Sequence, residues 1–241
     1  YMKEKFNFNS MDNEGKEMVS NVHVSPTRSY VNAYWTGRTT NYGDGNCLEY
    51  GPLTTLDVVS HEFTHGLTEF TSGLIYSNES GGLNEAMSDI FGKAVEYRFD
   101  QDNFTWELGR KFIKSPDAEP FRDMSNPKPY NDPNYYKGEN WSFSGAVHTN
   151  SGVLNYWFHL LVEGKVDTTE RGDSYNINAI GWDKAMDLVF GIQTLEMRFS
   201  PEQRFGIATL AGLIHRVIHV FADRRECFEV RVEDDLGFAG R

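Results

Sequence analysis

The sequence predicts an α+β fold, with strands near its beginning and helices through most of the remainder. Short runs rich in β-branched and aromatic residues occupy positions 1–35, whereas apolar residues recur at helical spacing from position 57 onwards. The composition agrees with a globular protein, because 241 residues with 39% hydrophobic and 24% charged side chains suit one large domain or two modest ones.

Three segments carry the strand prediction. Residues 5–8 alternate in polarity, residues 22–24 contain two valines, and residues 30–35 combine β-branched and aromatic side chains. Gly37 and the segment 43–45 predict turns after these strands.

The first predicted helix covers residues 57–72, with Asp57 as its N-cap. His61 and His65 are four residues apart, so both project from one side of this helix. Two imidazoles held in this way can bind one Zn²⁺ at about 2.0–2.1 Å, and Glu62 beside them can take a proton from a zinc-bound water. This H-E-x-x-H pattern is typical of zinc peptidases, although the same spacing also arises by chance.

A second helix is predicted after the loop at Gly73, with apolar residues recurring from Leu83 to Tyr97. It contains Glu85 and Asp89, a like-charged pair whose repulsion costs about 0.2–0.5 kcal/mol in a bare helix. Both charges are compensated if Glu85 binds the metal and Asp89 accepts a hydrogen bond from a ligand histidine. The alternative is two solvated surface acids, which the upstream histidines disfavour.

The second half of the chain is predicted to be mainly helical. Residues 100–140 are rich in Asp, Asn, Pro and Gly, which indicates a site-forming loop or bound ions. Apolar periodicity then predicts four helices, over residues 153–164, 180–199, 205–221 and 228–236.

Charge and cysteine content narrow the function classes. The net charge of −12 disfavours a nucleic-acid partner, because phosphate binding needs basic patches. No apolar run reaches the length of about 18 residues that predicts a membrane span. Residues 1–20 are polar, so we expect a processed form if the protein is exported. Cys47 and Cys227 are the only cysteines, and they can either pair or stay free.

Several motifs in order along the chain resemble the thermolysin-type neutral metalloproteases. They are the H-E-x-x-H pattern, the Gly82–Asp89 segment, and residues 32–35, 73–76 and 147–152. The resemblance covers nearly the whole chain. It implies a thermolysin-like fold, in which residues 1–72 form the remainder of a β-rich N-terminal lobe that ends in the zinc helix. Residues 73–241 would form a mainly helical C-terminal lobe, with the active-site cleft between the two.

The resemblance implies a secreted zinc metalloendopeptidase that acts on proteins and peptides. One catalytic zinc ion would have three protein ligands, namely His61, His65 and Glu85. Glu62 would be the general base, and Asp89 would orient a ligand histidine.

Two further residues would donate hydrogen bonds to the developing oxyanion, namely Tyr76 and His148. The alternatives are an ordinary half-buried aromatic at Tyr76 and a core histidine at His148.

The same resemblance implies substrate contacts. Asn32, Ala33 and Arg122 would hold the substrate backbone, although Arg122 could instead be a surface charge. The residues matching the main side-chain pocket are all apolar, namely Tyr50, Leu53, Val58, Leu108, Phe112 and Phe121. We therefore expect cleavage before a hydrophobic residue, and the bulk of Phe112 and Phe121 favours aliphatic over large aromatic side chains.

The chain departs from the family pattern near its predicted catalytic histidine. Phe143 stands where the family has an Asp that would hold His148 charged and oriented. Glu139 is the alternative acid on the same loop.

The predicted calcium site is also incomplete. Asp57, Glu96 and Glu107 match acidic ligand positions, but Thr105 and Arg110 replace acids. We expect at most one structural Ca²⁺ here, because the ion prefers 6–8 oxygen ligands. The alternative is a set of surface acids without an ion.

The N-terminal lobe is shorter than in the family, so we expect a cleaved or separate N-terminal segment or propeptide. Two rival functions stay open. One is a zinc exopeptidase on a similar scaffold. The other is a zinc-binding module that has lost turnover, which Phe143 favours and the intact Glu62 disfavours.

Overall fold

The computed structural model describes residues 1–25 and 29–194, and within them it has both helices and short strands. The helices predicted over residues 205–221 and 228–236 lie outside the described residues, as does Cys227. Within the described residues, none of the helices combines the length and the apolar character needed to cross a membrane.

The described residues contain six α-helices. These are α1 (Met2–Phe6), α2 (Leu56–Phe70), α3 (Asn78–Phe99), α4 (Val147–Asn150), α5 (Gly152–Glu163) and α6 (Gly181–Gln193). Short 3₁₀ turns occur at Gln101–Asn103, Arg110–Phe112 and Lys128–Tyr130. The strands are β1 (Val19–Asn21), β2 (Ala33–Trp35), β3 (Thr39–Tyr42), β4 (Glu107–Leu108), β5 (Arg122–Asp123), β6 (Lys165–Thr168) and β7 (Ser174–Ile177).

The strands form three small sheets. In the first, β3 is central and pairs in parallel with β1 and antiparallel with β2. In the second, β4 and β5 pair antiparallel with Leu108 opposite Arg122, and this pairing brings Arg122 into the vicinity of α3. The third is the β6–β7 hairpin, with Lys165 opposite Ile177.

The strand predicted at residues 5–8 is wrong, because residues 2–6 form α1. Phe6 stacks on Phe190 with ring centroids 4.0 Å apart, so contact with a distant part of the chain overrides the local alternation. The strand predicted at residues 22–24 is displaced to Val19–Asn21, since His23 has a φ of 58°, which a strand does not accommodate.

The two central helices match the prediction in type but differ at their ends. The N-cap of α2 is Thr55 rather than Asp57, which lies in the first turn. The predicted helix of residues 57–72 also ends earlier, at Phe70. Helix α3 begins at Asn78, so Gly81 lies inside it, where a Cβ would approach the Val147 side chain to 2.4 Å.

The helices α2 and α3 pack closely against each other. A Cβ on Gly92 would lie 2.6 Å from the carbonyl oxygen of Asp57, so only glycine allows this approach of α3 to the start of α2. The contact orients the face of α2 that carries His61 and His65 towards the face of α3 that carries Glu85.

The main hydrophobic core lies around α3, α5 and α6. Its fully enclosed side chains include Ile90, Phe158 and Met186. Helix α6 is joined to α2 by a buried amide, because Gln193 Nε2 donates to Thr68 Oγ1 at 2.8 Å. The helix that carries the predicted zinc ligands therefore rests on packed helices.

Replacing Phe158 with alanine tests this core. Phe158 is 0% exposed and its ring lies 5.6 Å from that of Trp182, so we expect the free energy of unfolding to fall by about 3–5 kcal/mol. Phe143→Ala is the control, since Phe143 is 80% exposed and its loss should change stability by about 0.5 kcal/mol or less. Urea unfolding followed by circular dichroism measures both, and equal effects would contradict the assignment of Phe158 to the core.

Candidate metal centre

Three side chains from α2 and α3 bring metal-binding atoms together. His61 Nε2 lies 3.1 Å from His65 Nε2, and each lies 3.6 Å from one oxygen of Glu85. All the ligand atoms lie within 4.8 Å of one another, and no other group of three such residues occurs in residues 1–25 and 29–194. The three residues predicted as zinc ligands thus converge on one point.

The geometry and chemistry of this group fit zinc. Ligand atoms at about 2.0–2.2 Å from one tetrahedral ion lie roughly 3.3–3.6 Å from each other, close to the separations of 3.1 and 3.6 Å in this structure. Glu85 Oε2 is buried and has no hydrogen-bond partner among the described residues, so an ion would satisfy it. Two imidazoles and one carboxylate leave a fourth position open, as in catalytic rather than structural zinc sites.

His61 is held in place by Asp89 on α3. Its Nδ1 lies 2.8 Å from Asp89 Oδ1, which leaves Nε2 directed towards Glu85 and His65. Burial alone would raise the pKa of Asp89, but the charge of Arg122 and the hydrogen bond with His61 hold this pKa well below its usual range. Asp89 is therefore ionised when it contacts the ligand histidine, which agrees with the orienting contact expected from the sequence.

His65 is held in place by Asn84 and Ser88, which the sequence analysis assigned no role. Asn84 Oδ1 lies 2.7 Å and Ser88 Oγ lies 3.2 Å from His65 Nδ1. Asn84 Nδ2 in turn donates to the Leu74 carbonyl at 3.0 Å, which fixes the amide orientation. The sequence feature that could have identified Asn84 is its position one residue before Glu85, on the face of α3 that meets α2.

The two histidines differ in proton affinity. Burial opposes protonation of His61, but its hydrogen bond to Asp89 outweighs burial and raises its pKa to about 9. Burial and the neighbouring charge of His61 lower the pKa of His65 to about 4. A metal must therefore displace a proton from His61 near neutral pH, whereas His65 is already neutral.

Glu62 is the second buried acid of α2. It is 6% exposed, and burial raises its pKa to about 7, an effect that Glu85 reinforces and His61 opposes. A carboxyl group with this pKa can both accept and release a proton near neutral pH, which is what a general base and acid requires.

Tyr76 and His148 lie beside Glu85 at the solvent side of the group. The Tyr76 hydroxyl donates to Glu85 Oε1 and lies 3.3 Å from His148 Nε2. His148 Nε2 is 3.4 Å from the same Glu85 oxygen, and the His148 side chain is 64% exposed. Burial and nearby cations lower the pKa of His148, whereas burial and the Glu85 charge raise that of Tyr76. Both side chains therefore keep a neutral form that can donate a hydrogen bond.

Arg122 is not the surface charge considered from the sequence. Its Nε and Nη2 donate to the two oxygens of Asp89 at 2.8 and 2.7 Å, and its side chain is 12% exposed. Its Nη2 also lies 3.7 Å from Glu85 Oε2. The other expected backbone contacts, Asn32 and Ala33, lie at and just before β2, which pairs only with β3 among the described strands.

Four of the residues expected in the side-chain pocket are buried in this structure, namely Leu53, Leu108, Phe112 and Val58, at 0%, 2%, 4% and 6% exposed. Phe112 packs with Leu53 in a small buried cluster, whose members are Tyr42, Leu53, Val58 and Phe112. Phe121 stands at the margin of this cluster, 39% exposed and with its ring 5.0 Å from that of Phe112.

The loop before His148 carries no acid at position 143. Phe143 is 80% exposed and offers no hydrogen-bonding group. Glu139, the alternative acid, accepts a hydrogen bond from Lys128 Nζ at 2.9 Å. The carboxylate of Glu139 is thus engaged with a lysine rather than with His148.

The calcium prediction at Asp57, Glu96 and Glu107 does not fit the structure. Lys93 Nζ lies between the carboxylates, 3.9 Å from Asp57 Oδ2 and in contact with Glu96 Oε2. The ammonium group therefore takes the central place that the prediction gave to an ion.

Comparisons with known proteins agree with this geometry. A family model described as thermolysin metallopeptidase, catalytic domain, matches residues 1–69, and one described as thermolysin metallopeptidase, alpha-helical domain, matches residues 72–217. Bacillolysin of Bacillus cereus is 42% identical over 190 residues, which cover 76% of this chain and 31% of that protein. Bacillolysin of Brevibacillus brevis is 44% identical over 218 residues, which cover 89% of this chain and 38% of that protein.

Among solved structures, the precursor of protealysin, a metalloproteinase from Serratia proteamaculans, is similar with a TM-score of 0.66 and 25% identity. The match covers 91% of this chain and 73% of that one. These similarities confirm the predicted thermolysin-like α+β fold. The chain spans about a third of the length of the curated relatives named above.

Replacing Asp89 with asparagine tests how His61 is held. The amide keeps the shape but loses the charge that orients His61, so we expect zinc affinity to fall by about 10–100-fold. Competition with a chromogenic chelator measures the dissociation constant. Asp44→Asn is a matched control, because Asp44 Oδ1 contacts His23 Nδ1 at the same 2.8 Å away from the metal centre. An equal affinity in the Asp89 and Asp44 variants would contradict this assignment.

Proposed function

We propose, since this chain belongs to the thermolysin family of metallopeptidases, that it is a zinc endopeptidase that hydrolyses internal peptide bonds of proteins. The zinc ligands are His61, His65 and Glu85. The observation that carries the proposal is the convergence of these three side chains, with their nearest ligand atoms 3.1–3.6 Å apart and the buried carboxyl group of Glu62 next to them in the chain.

Glu62 handles the proton in this proposal. Bound zinc would supply a Lewis acid that polarises the substrate carbonyl and acidifies water. Glu62 accepts a proton from the attacking water and later delivers it to the amine of the leaving fragment. Its burial supports both steps, because a carboxyl group whose pKa is raised to about 7 is a stronger base than an exposed one.

Tyr76 and His148 are the proposed donors to the oxyanion that forms on the scissile carbonyl. Their polar atoms lie 3.3 Å apart beside Glu85, so one oxygen between them can receive both hydrogen bonds. Because Phe143 cannot accept a hydrogen bond from His148, this histidine acts as a neutral donor from Nε2 rather than as an imidazolium.

Different residues are proposed to contact the substrate backbone and the substrate side chain. Asn32 and Ala33 hold the substrate backbone beside β2, and Arg122 acts through Asp89 and Glu85. We assign the active-site cleft to the boundary between residues 1–72 and 73–241. The cluster beneath Phe121 is apolar, which supports cleavage before a hydrophobic residue of modest size.

We also propose that the protein is secreted and that it has a propeptide or a separate N-terminal segment. The curated relatives are about three times as long as the matched part of this chain, which is compatible with further segments.

Two rival functions make different predictions. A zinc exopeptidase would cleave dipeptides in preference to casein, whereas the proposed endopeptidase would cleave casein. A zinc-binding module without turnover would bind the metal but hydrolyse neither substrate. Casein hydrolysis that is lost on chelation and restored by zinc would separate the proposal from both rivals.

Replacing Glu62 with glutamine tests the proposed base. The amide cannot accept the proton, so we expect kcat/KM for casein to fall by at least about 10²–10⁴-fold, while the zinc content stays at the wild-type level. Casein hydrolysis and metal analysis of the same preparation measure the two quantities.

Glu69→Gln is the matched control, because Glu69 lies on the same helix but is exposed and binds Trp35 Nε1 at 2.9 Å. It should retain wild-type hydrolysis. Undiminished hydrolysis by the Glu62→Gln variant would show that another group is the base.

Replacing Phe121 with alanine tests the specificity. The smaller side chain opens space beside Phe112, so we expect the ratio of cleavage before Phe to cleavage before Leu to rise about tenfold or more. Profiling with a peptide library measures this ratio. Phe99→Ala, at an exposed position near the end of α3, is the control. A preference for charged residues after the scissile bond in the parent enzyme would refute the pocket assignment.

A further inference from the structure

Lys93 is a lysine whose side chain is completely enclosed. It lies on α3, one helical turn beyond Asp89, and its side chain is 0% exposed. Its Nζ donates to Glu96 Oε2 and to the carbonyl oxygen of Glu107, the latter at 2.9 Å, and lies 5.0 Å from the centre of the Phe104 ring. Lysine is almost never fully buried unless it is paired, so this arrangement calls for a specific explanation.

Both carboxylate oxygens of Asp57 already accept hydrogen bonds. Asp57 Oδ1 accepts from Thr55 Oγ1 at 2.6 Å and from the backbone N–H of Val58 at 2.9 Å. Asp57 Oδ2 accepts from the backbone N–H of Gly109 at 2.7 Å. A calcium ion at this carboxylate would compete with all these donors.

Glu96 is engaged in the same way, whereas Glu107 is 26% exposed and makes longer contacts. Glu96 Oε2 binds Lys93, and Glu96 Oε1 lies 2.8 Å from Lys111 Nζ. Glu107 Oε2 lies 3.5 Å from Arg110 Nε. The set therefore falls well short of the 6–8 available oxygens that Ca²⁺ prefers.

Most of the buried charge is already compensated without an ion. The carboxylates of Asp57 and Glu96 are each about 1% exposed, and they face the ammonium groups of Lys93 and Lys111, of which Lys111 also contacts Asp100 Oδ2 at 2.5 Å. A divalent cation would add an uncompensated positive charge to a buried site next to an enclosed ammonium, which is strongly unfavourable. The residues present thus do not fit the calcium ion that the family resemblance implies.

We propose that Lys93 is an internal cation that replaces calcium, so that folding of this protein requires no calcium ion. Through Asp57, Glu96 and Glu107 the ammonium joins the start of α2, the last turn of α3 and strand β4. These are the elements whose relative positions set the distance between His61 on α2 and Glu85 on α3.

A calcium titration of the zinc-saturated protein tests this directly. Calcium is first removed with a chelating resin, and zinc, which the resin also removes, is restored to saturation. Thermal unfolding is then followed with and without about 10 mM CaCl₂, above the dissociation constants of weak calcium modules. MgCl₂ at the same concentration controls for ionic strength. We expect the same Tm in both salts and no stoichiometric heat of calcium binding in calorimetry. A calcium-specific rise in Tm together with stoichiometric binding would overturn the proposal.

Replacing Lys93 with methionine tests the role of the ammonium itself. The variant leaves buried carboxylates without their partner, so we expect Tm to fall by roughly 6–20 °C. Lys128→Met is the matched control, because Lys128 also pairs with two acids, Glu139 and Glu170, but is 32% exposed. Its Tm should change by about 2 °C or less. An unchanged Tm in Lys93→Met would overturn the proposal.

A double variant distinguishes charge compensation from simple loss of packing. Lys93→Met combined with Glu96→Gln removes both members of the buried pair, so its Tm should lie clearly above that of Lys93→Met alone. The comparison also covers the case in which Lys93→Met gives no folded protein, since the double variant should then restore folding. A double variant that is no more stable than the single variant would refute the internal cation.

Discussion

The buried carboxylate of Asp89, which contacts His61 of the metal centre, ties α3 to three other elements of the structure. Asp89 is completely enclosed, and its carboxylate accepts hydrogen bonds from His61 on α2, Arg122 on β5 and Asn155 on α5. A buried carboxylate is stable only when its charge and its oxygens are satisfied in this way. The same contact directs His61 Nε2 towards Glu85. The Asp89 side chain thus both orients the ligand His61 and connects α3 to α2, β5 and α5.

The pair of helices α2 and α3 carries buried charge at two places along its length. At one place, Glu85 faces the two histidines, and one of its oxygens has no hydrogen-bond partner in the part of the chain that the structure describes. At the other, Glu96 and Asp57 surround Lys93. Gly92 allows the helix backbones to approach between these places. Both charged groups therefore depend on the same close packing of the two helices.

Local spacing predicted that His61 and His65 act together, because residues four apart on a helix share a face whatever the rest of the chain does. Glu85, on another helix, was predicted from the need to compensate its charge and from the family resemblance. The partners of those ligands were harder to predict. Asn84 contacts His65 only because α3 crosses α2 at a particular angle, and Arg122 reaches Asp89 only through the pairing of β4 with β5. Residues 5–8 illustrate the same difficulty, since their helix is stabilised by Phe190 far along the chain.

The calcium prediction and the internal cation proposed in its place differ for a related physical reason. Matching acids one by one identifies negative charge, but it does not identify the group that neutralises that charge. Lys93 on α3 is not a metal-binding residue, so a search for calcium ligands does not consider it. The two charged places on the helix pair consequently differ in kind. Glu85 needs a partner from solution, whereas Glu96 has a partner that is covalently part of the chain and cannot dissociate. Chelation can therefore remove the chemistry of the metal centre while the charges at the other place stay compensated, which separates loss of activity from loss of the fold.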